Sequence, residues 1–278
     1  MVAAAKFKRA QDRIQAARPY AQRLGNVLSA LKITMVPQDH ALLLKRDPKT
    51  VDLLVITSDR GLCGAYNANL LRRAMQSIRG YEAQGIRVQL ILVGKKGREF
   101  LHRRGYPPQQ LKENLLGRLT YPQAVEIARE MTERFLEGTC DAVDLIYTEF
   151  RSALQQRVTI SRLIPIEPGL SASEGKGRVG EGTLTTEETM SVGGSCLFEP
   201  SKKEVLTKLL PHYIEVQIFR ALLEAAASEM GARMTAMDSA TRNAGELINR
   251  LTLTYNKTRQ AAITKELMDI VGGAEALK

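Results

Sequence analysis

Between Pro211 and about Ala276 the chain contains no further proline, and apolar side chains return at three- and four-residue steps. Val216, Phe219, Leu223, Ala226, Met230, Met237, Ala240, Ala244, Leu247 and Leu251 form one seam. That period predicts a single helix, which at ~1.5 Å per residue approaches ~100 Å. A helix of that length outreaches a globular domain of ~150 residues and calls for a second helix along its seam. The other chain end supplies a matching one. Ala3, Phe7, Ala10, Ile14, Ala17, Ala21, Leu24, Leu28 and Leu31 alternate at the same spacing, and the small alanines predict close helix packing. Pro19 removes one backbone bond inside this run; because the stripe continues beyond it, a bend is expected there and not an end. Gly231 and Gly245 each cost a helix interior ~1 kcal/mol, which is tolerable where a partner approaches closely.

The texture changes between about 50 and 205. Short β-branched runs occur at 51–57 (VDLLVIT), 87–94 (RVQLILVG), 142–150 (AVDLIYTEF) and 158–166 (VTISRLIPI). Helical stretches at roughly 66–80 and 121–137 separate the first three, an alternation that predicts an α/β domain with a partly parallel sheet. Residues 167–194, with seven glycines among Ser, Thr and Glu, read as a mobile loop or loose hairpin. The expected organisation is an N-terminal coiled-coil helix over 1–35, an α/β domain over 50–205, and a C-terminal coiled-coil helix over 206–278.

Charge is unevenly placed. The net charge is +10. Residues 1–33 carry Lys6, Lys8, Arg9, Arg13, Arg18, Arg23 and Lys32 against Asp12 alone, whereas the chain from Pro211 onward is neutral. A basic stripe suits nucleic acid, an anionic membrane or an acidic protein surface, and it is also how an ordinary solvated helix face reads. Cys63, Cys140 and Cys196 are far apart and odd in number, which fits neither a disulfide framework nor a zinc site and suggests a reducing compartment. The start reads as no secretory signal, and no apolar run approaches the ~20 residues of a spanning helix. No direct membrane insertion is expected.

The stretch TSDRGLCGAYNANL (57–70) follows an apolar run, where nucleotide enzymes place a phosphate. Its GLCG is neither GxGxxG nor GxxxxGK[ST], and GKKG at 94–97 and Gly175–Lys176 fail the same tests. A tight strand-to-helix turn accounts for both glycine pairs, with Asp59 and Arg60 placed to pair locally. His40, His102 and His212 are isolated, so no metal is expected. Cys63 has no base nearby in sequence and reads as structural. Neither catalysis nor a cofactor is indicated. In 253–277, Arg259, Gln260, Thr264, Glu266 and Asp269 mix with small apolar residues, as on an amphipathic helix end or a surface that meets several partners.

Two motifs carry a resemblance. TSDRGLCGAYNANL and ITKELMDIVGGAEA (263–276) resemble the gamma subunit family of the rotary ATP synthase. The second matches the family pattern Ile/Val-Thr-x-Glu-x-x-Asp/Glu-x-x-x-Gly-Ala-x-small/basic at Ile263, Thr264, Glu266, Asp269, Gly273, Ala274 and Ala276. MVAAAK at the start and YNKTRQA (255–261) match as well, so the resemblance covers essentially the whole chain. It implies a long antiparallel coiled coil of the two terminal helices with an inserted Rossmann-like α/β domain. It implies a non-catalytic rotor shaft of the proton-translocating F-type enzyme. The coiled coil would enter the hexamer of alpha and beta subunits, and the α/β domain would meet the epsilon subunit and the c-subunit ring. The complex would lie peripherally on the cytoplasmic face of a bacterial plasma membrane. Residues matching Arg259, Gln260 and Glu266 meet catalytic-subunit loops in the family, and Thr264 and Asp269 stand beside them. Lys6, Arg9 and Arg13 would face acidic loops of the same subunits. A charge crossing ~100 mV yields ~2.3 kcal/mol and a surface ion pair only ~0–1 kcal/mol, so steric contact along a stiff rod is expected to transmit most of the torque.

The family's first helix usually begins about two dozen residues before Met-Val-Ala-Ala-Ala-Lys, so a helix over 1–33 would reach only ~50 Å. The closely spaced cysteine pair of cyanobacterial and chloroplast relatives is missing, which predicts no thiol switch of that kind. The alternative reading is a basic coiled-coil protein that binds nucleic acid through residues 1–33, with steeply salt-dependent affinity.

Overall fold

The computed structural model describes residues 2–31, 36–166, 199 and 201–275. They form helix α1 (Val2–Leu31), strand β1 (Thr50–Ile56), α2 (Tyr66–Glu82), β2 (Arg87–Val93), α3 (Lys95–His102), β3 (Gln110–Lys112), α4 (Tyr121–Leu136), β4 (Ala142–Phe150), β5 (Gln156–Ile164) and α5 (Lys202–Glu275). The chain divides into two compact units, Met1–Met234 and Thr235–Lys278. The predicted loop at 167–194 and Cys196 lie outside the described residues.

The first unit is built on a five-stranded sheet in the order β3-β2-β1-β4-β5. The first four strands are parallel, and β5 returns antiparallel to β4. Alternation along β1 assigns its side chains to two cores. Leu54 and Ile56 face one side, where they meet Ile14 of α1, Met131 and Phe135 of α4, and Leu210, Ile214, Ile218 and Leu222 of α5. Leu53 and Val55 face the other, against Leu70, Ala74 and Ile78 of α2 and Leu101 of α3. Helices thus cover both faces, as a mostly parallel sheet requires. The predicted Rossmann-like domain is present.

The α1 seam turns inward: Ile14, Ala21, Leu24, Leu28 and Leu31 are buried. Its pairing with α5 is antiparallel. Phe7 lies against Gly231, where a Cβ would stand 3.3 Å from the ring; Arg18 pairs with Glu224; and Ala21 and Leu24 pack with Val216. The close approach expected at Gly231 is therefore made, by a ring of α1 and by the backbone of Ala153. A Cβ at Gly245 would meet nothing within 4 Å beyond its own helix backbone among the described residues. α1 continues through Pro19, and α5 contains Pro211 in its interior, starting upstream of it at Lys202.

Two elements have no counterpart in the sequence reading. α3 is short and polar, and β3 is three residues on the sheet edge.

The second unit is the remainder of α5. Every described side chain from Ala240 to Gly273 is exposed, including Leu247, Leu251, Leu253, Ile263, Leu267 and Ile270.

Candidate functional site

The loop after β1 sits at the carboxyl end of the sheet beside β4, where strand order reverses. In doubly wound sheets this crevice receives ligands. Here α5 crosses it. Ser228 Oγ donates to the Thr148 carbonyl of β4 (3.0 Å), and the Tyr66 hydroxyl donates to Ala225 O (3.3 Å). Arg233 donates to the carbonyls of Arg60 (3.4 Å) and Gly61 (3.3 Å) while pairing with buried Glu229 at 2.7 Å. Burial raises the Glu229 carboxyl above its ordinary pKa, and Arg233 opposes that rise.

Within the loop, Leu62 and Gly64 take φ values of 63° and 57°, the left-handed turn that leads into α2. The expected Asp59–Arg60 pair does not form among the described residues. Asp59 Oδ1 instead accepts from the amides of Lys95 (3.3 Å) and Asn114 (3.0 Å), clamping this loop to the ones after β2 and β3. Local proximity lost to two backbone donors that would otherwise lack partners. GKKG has an equally structural reason. Thr57 Oγ1 donates to Val93 O (2.8 Å) and accepts from Gly97 N (2.9 Å). A Cβ at Gly94, where φ is 94°, would fall 2.3 Å from the Thr57 carbonyl oxygen. Both glycine pairs therefore serve turns and close packing.

Cys63 and Cys140 are buried free thiols. Burial raises the Cys63 thiol and pushes Cys140 up to about 12, with Asp52 adding to the latter. Neither is a poised nucleophile. Among the described residues no cluster of three His, Cys, Asp or Glu could hold a metal. His212 takes part in a polar network: its Nε2 lies 2.8 Å from the Tyr20 hydroxyl, its Nδ1 3.1 Å from Glu215, and the Tyr121 hydroxyl donates to Glu215 (2.8 Å).

The basic stripe of α1 divides. Arg18 is spent inward, donating to Glu224 through Nε and Nη2 (both 2.9 Å) and to the Phe150 carbonyl. Lys8 pairs with Asp12. Lys6, Arg9 and Arg13 come together along a groove of about 560 Å³, floored by Leu119, Leu223 and Met230; Arg13 also donates to Leu119 O (3.1 Å).

Arg259, Gln260, Thr264, Glu266 and Asp269 all lie on the exposed second unit. At ~100° per residue, Arg259 and Glu266 fall within ~20° of each other, with Asp269 to one side. Gln260 and Thr264 occupy a separate face. Five residues read as one cluster thus wrap more than half of the helix circumference. Ala276, the last position of the signature, lies outside the described residues.

Sequence reasoning missed the buried charges that join the layers. Glu224 clasps Arg18 and also accepts from Phe150 N (2.8 Å). Asp52 of β1, fully buried, holds Arg134 of α4 at 2.6 Å; Asp144 of β4 holds Arg162 of β5 and the Tyr81 hydroxyl of α2. The available signal was an acid inside an apolar run, as in LLEAAAS and VDLLVI.

A family model described as ATP synthase matches residues 1–277. A gamma chain of ATP synthase from Desulforamulus reducens is 45% identical over 278 residues, covering all of this chain and 91% of that one. The gamma chain from Heliobacterium modesticaldum is 47% identical over 279 residues with the same coverage. The chain belongs to the ATP synthase gamma family. A chain of the Euglena gracilis mitochondrial ATP synthase, solved by cryo-electron microscopy with OSCP, F1 and the c-ring, shares the fold, with a TM-score of 0.59 at 19% identity over 99% of this chain and 95% of that one. A gamma-family chain is a stalk component and not a catalytic one. That agrees with a crevice crossed by the protein's own helix. No helix among the described residues is long and apolar enough to cross a membrane.

Proposed function

We propose that this chain is the central rotor shaft of an F-type ATP synthase, with its second unit as the part that turns against the alpha and beta subunits. The observation that carries the reading is the second unit itself. Leucines and isoleucines, with Val271, stand exposed on a helix from Leu247 to Val271, and large apolar side chains exposed in that number mark a protein–protein contact. Arg259, Gln260 and Glu266 meet catalytic-subunit loops, with Thr264 and Asp269 beside them. Lys6, Arg9 and Arg13 present cations to acidic loops of the same hexamer. The α/β domain faces the epsilon subunit and the c-ring. Ion flow through the membrane sector turns the shaft, and its asymmetry sets the three catalytic sites into different states. The complex sits peripherally on the cytoplasmic face of a bacterial plasma membrane.

The nucleic-acid reading of residues 1–33 has less to stand on. Arg18 is committed to Glu224 and Arg13 in part to Leu119, so the stripe is not a continuous row of free cations.

The test is reconstitution of the 278-residue chain with the remaining subunits in vesicles. Arg259→Ala and Glu266→Ala are expected to lower ATP synthesis relative to hydrolysis, with thermal stability within about 0.5 kcal/mol of the parent because both sites are exposed. Unchanged synthesis in both variants would remove these residues from the interface.

A further inference from the structure

The sheet sorts the charges of the first unit. Its side away from α1 and α5 is covered by α2 and α3, whose only acids are Glu82 and Glu99. Both are engaged: Glu82 accepts from the Tyr106 hydroxyl (3.0 Å), and Glu99 pairs with Lys96 (2.7 Å). Lys95 and Arg98 share Glu113 at 3.4 and 3.2 Å. Arg72, Arg73 and Arg79 of α2 and Arg103 and Arg104 after α3 remain, all exposed and none in an ion pair among the described residues. Arg73 donates to the neutral Gln76 (3.2 Å), and the Arg104 guanidinium lies 3.6 Å over the Phe100 ring. Arg72 and Arg79 project within ~20° of each other on α2. Tyr106, held to Glu82, also lies in the field of Arg79, so the turn after α3 stands beside the end of α2 and these arginines form one face. The other layer has the opposite sign. α4 and the turn after it carry Glu126, Glu130, Glu133, Glu137 and Asp141 against Arg129 and Arg134, and Arg134 is turned inward to Asp52.

We propose that the α2–α3 face binds the anionic phospholipid surface of a membrane. Its charge decides the sign of the partner, and what it lacks decides the kind. No large apolar side chain between Tyr66 and Tyr106 is exposed. A protein partner is held by aromatic and apolar anchors at the centre of the contact, and single-stranded nucleic acid by bases stacked on aromatic rings; this face offers neither. Distributed, flexible arginines suit a broad layer of phosphates, where attraction adds up without fixed geometry. Each cation near such a surface contributes about fivefold to the partition coefficient. A fluid headgroup layer also yields as the face moves across it, so the contact holds the foot of a shaft down without stopping it. The acidic α4 side is repelled, which orients the first unit. The place of this contact in the cell rests on the reading of the α/β domain as the end of the shaft that faces the c-ring.

The experiment is co-sedimentation of the full chain with vesicles at ~0.1 M salt, where the Debye length is ~10 Å. Vesicles of equal parts phosphatidylglycerol and phosphatidylcholine should carry the chain down, pure phosphatidylcholine should not, and ~1 M salt should release it. Arg72→Gln combined with Arg73→Gln and Arg79→Gln should lower the partition coefficient about tenfold or more. Gln keeps the helix propensity, and far-ultraviolet circular dichroism checks that the variant is folded. Lys6→Gln combined with Arg9→Gln and Arg13→Gln, on the opposite side of the sheet, should lower it by less than one cation's share, about fivefold. The other subunits take no part, so failure here and failure of the reconstitution are separate results. Four outcomes would each overturn the proposal: neutral vesicles bound as well as anionic ones, a loss under about tenfold in the α2 variant, a larger loss in the α1 variant than in the α2 variant, or duplex DNA of equal phosphate content bound more tightly than the anionic vesicles.

Discussion

The Arg18–Glu224 clasp should be asymmetric, and the asymmetry can be worked out from exposure. Arg18 keeps 34% of its side-chain surface in water, Glu224 only 4%. Removing the arginine in Arg18→Ala leaves a carboxylate among Leu222, Leu223 and Ala225 with the Phe150 amide as its remaining donor, and leaves the Phe150 carbonyl without its side-chain donor. Stranding a buried charge in this way costs ~3–5 kcal/mol; the retained amide bond places the value near the lower half of that range, about 3–4 kcal/mol. Glu224→Gln removes the charge instead. Its amide oxygen still accepts from Phe150 N, and the freed guanidinium is a third exposed, so water solvates it; the expected cost is about 1–2 kcal/mol. The double change Arg18→Met with Glu224→Leu replaces the pair by apolar groups and should cost less than Arg18→Ala alone. Urea unfolding followed by tyrosine fluorescence suits the measurement, because the chain has no Trp and seven of its eight Tyr lie in the first unit. The m-value should be the same in all variants. If Glu224→Gln costs as much as Arg18→Ala, burial does not set the energetics of this pair.

The turn glycines give a sharper local test. Gly94→Ala places a Cβ 2.3 Å from a backbone carbonyl in a left-handed conformation and should cost about 3 kcal/mol or more in urea unfolding. Gly97→Ala meets Thr57 Oγ1 at 2.8 Å, so combining it with Thr57→Ala should recover part of its loss; no recovery would mean that the side chain is not the obstacle. Glu229 supplies a pH prediction. Its carboxyl pKa is raised in the folded chain, chiefly by burial, so the folded state holds the proton more tightly than the unfolded state. The associated stability is full below the ordinary value of 4.5 and is lost as pH rises through the raised value. Unfolding free energies across that window should fall less steeply with pH in Glu229→Gln; an identical slope would show that Glu229 does not titrate anomalously. Cys63 and Cys140 should alkylate slowly in the native chain at pH 8 and quickly in urea, read peptide by peptide by mass spectrometry.

What was legible depended on length and period. The seam from Ala3 to Leu31 and the four long strands repeat often enough for spacing alone to place them. α3, KKGREFLH, is mostly polar and contains a glycine, and β3 has three residues; neither repeats an apolar pattern often enough for spacing to mark it. The buried ion pairs were invisible for another reason. Asp52 and Arg134 are 82 residues apart, and only the fold brings an acid inside a strand to a base on the last turn of a helix. The 57–64 loop shows the same limit from the opposite side. Its glycines were assigned correctly to turns, but Asp59 chose amides from two other loops over its neighbour Arg60.

The α5 seam shows why periodicity could describe a rotor without locating its contacts. Val216, Leu223 and Ala226 are buried; Ala240, Ala244, Leu247 and Leu251 follow the same three-and-four spacing and are exposed. Spacing records that a helix face is to be covered, and it is blind to which chain covers it. The composition around the seam differs, however. Between Leu206 and Ala227 the seam lies against strands and helices of the same chain, and the charges nearest it, Arg220 and Glu224, are buried or half-buried. Beyond Leu247 apolar residues also occupy positions off the seam, at Ile248, Leu253 and Ile270. A helix that meets one fixed partner needs one stripe. A helix that presents successive faces to a ring of subunits needs apolar residues on several of them, with polar side chains such as Gln260 and Thr264 placed between. That distribution is what a turning shaft requires, and it separates the segment beyond Ala240 from the core-packing part of the same helix.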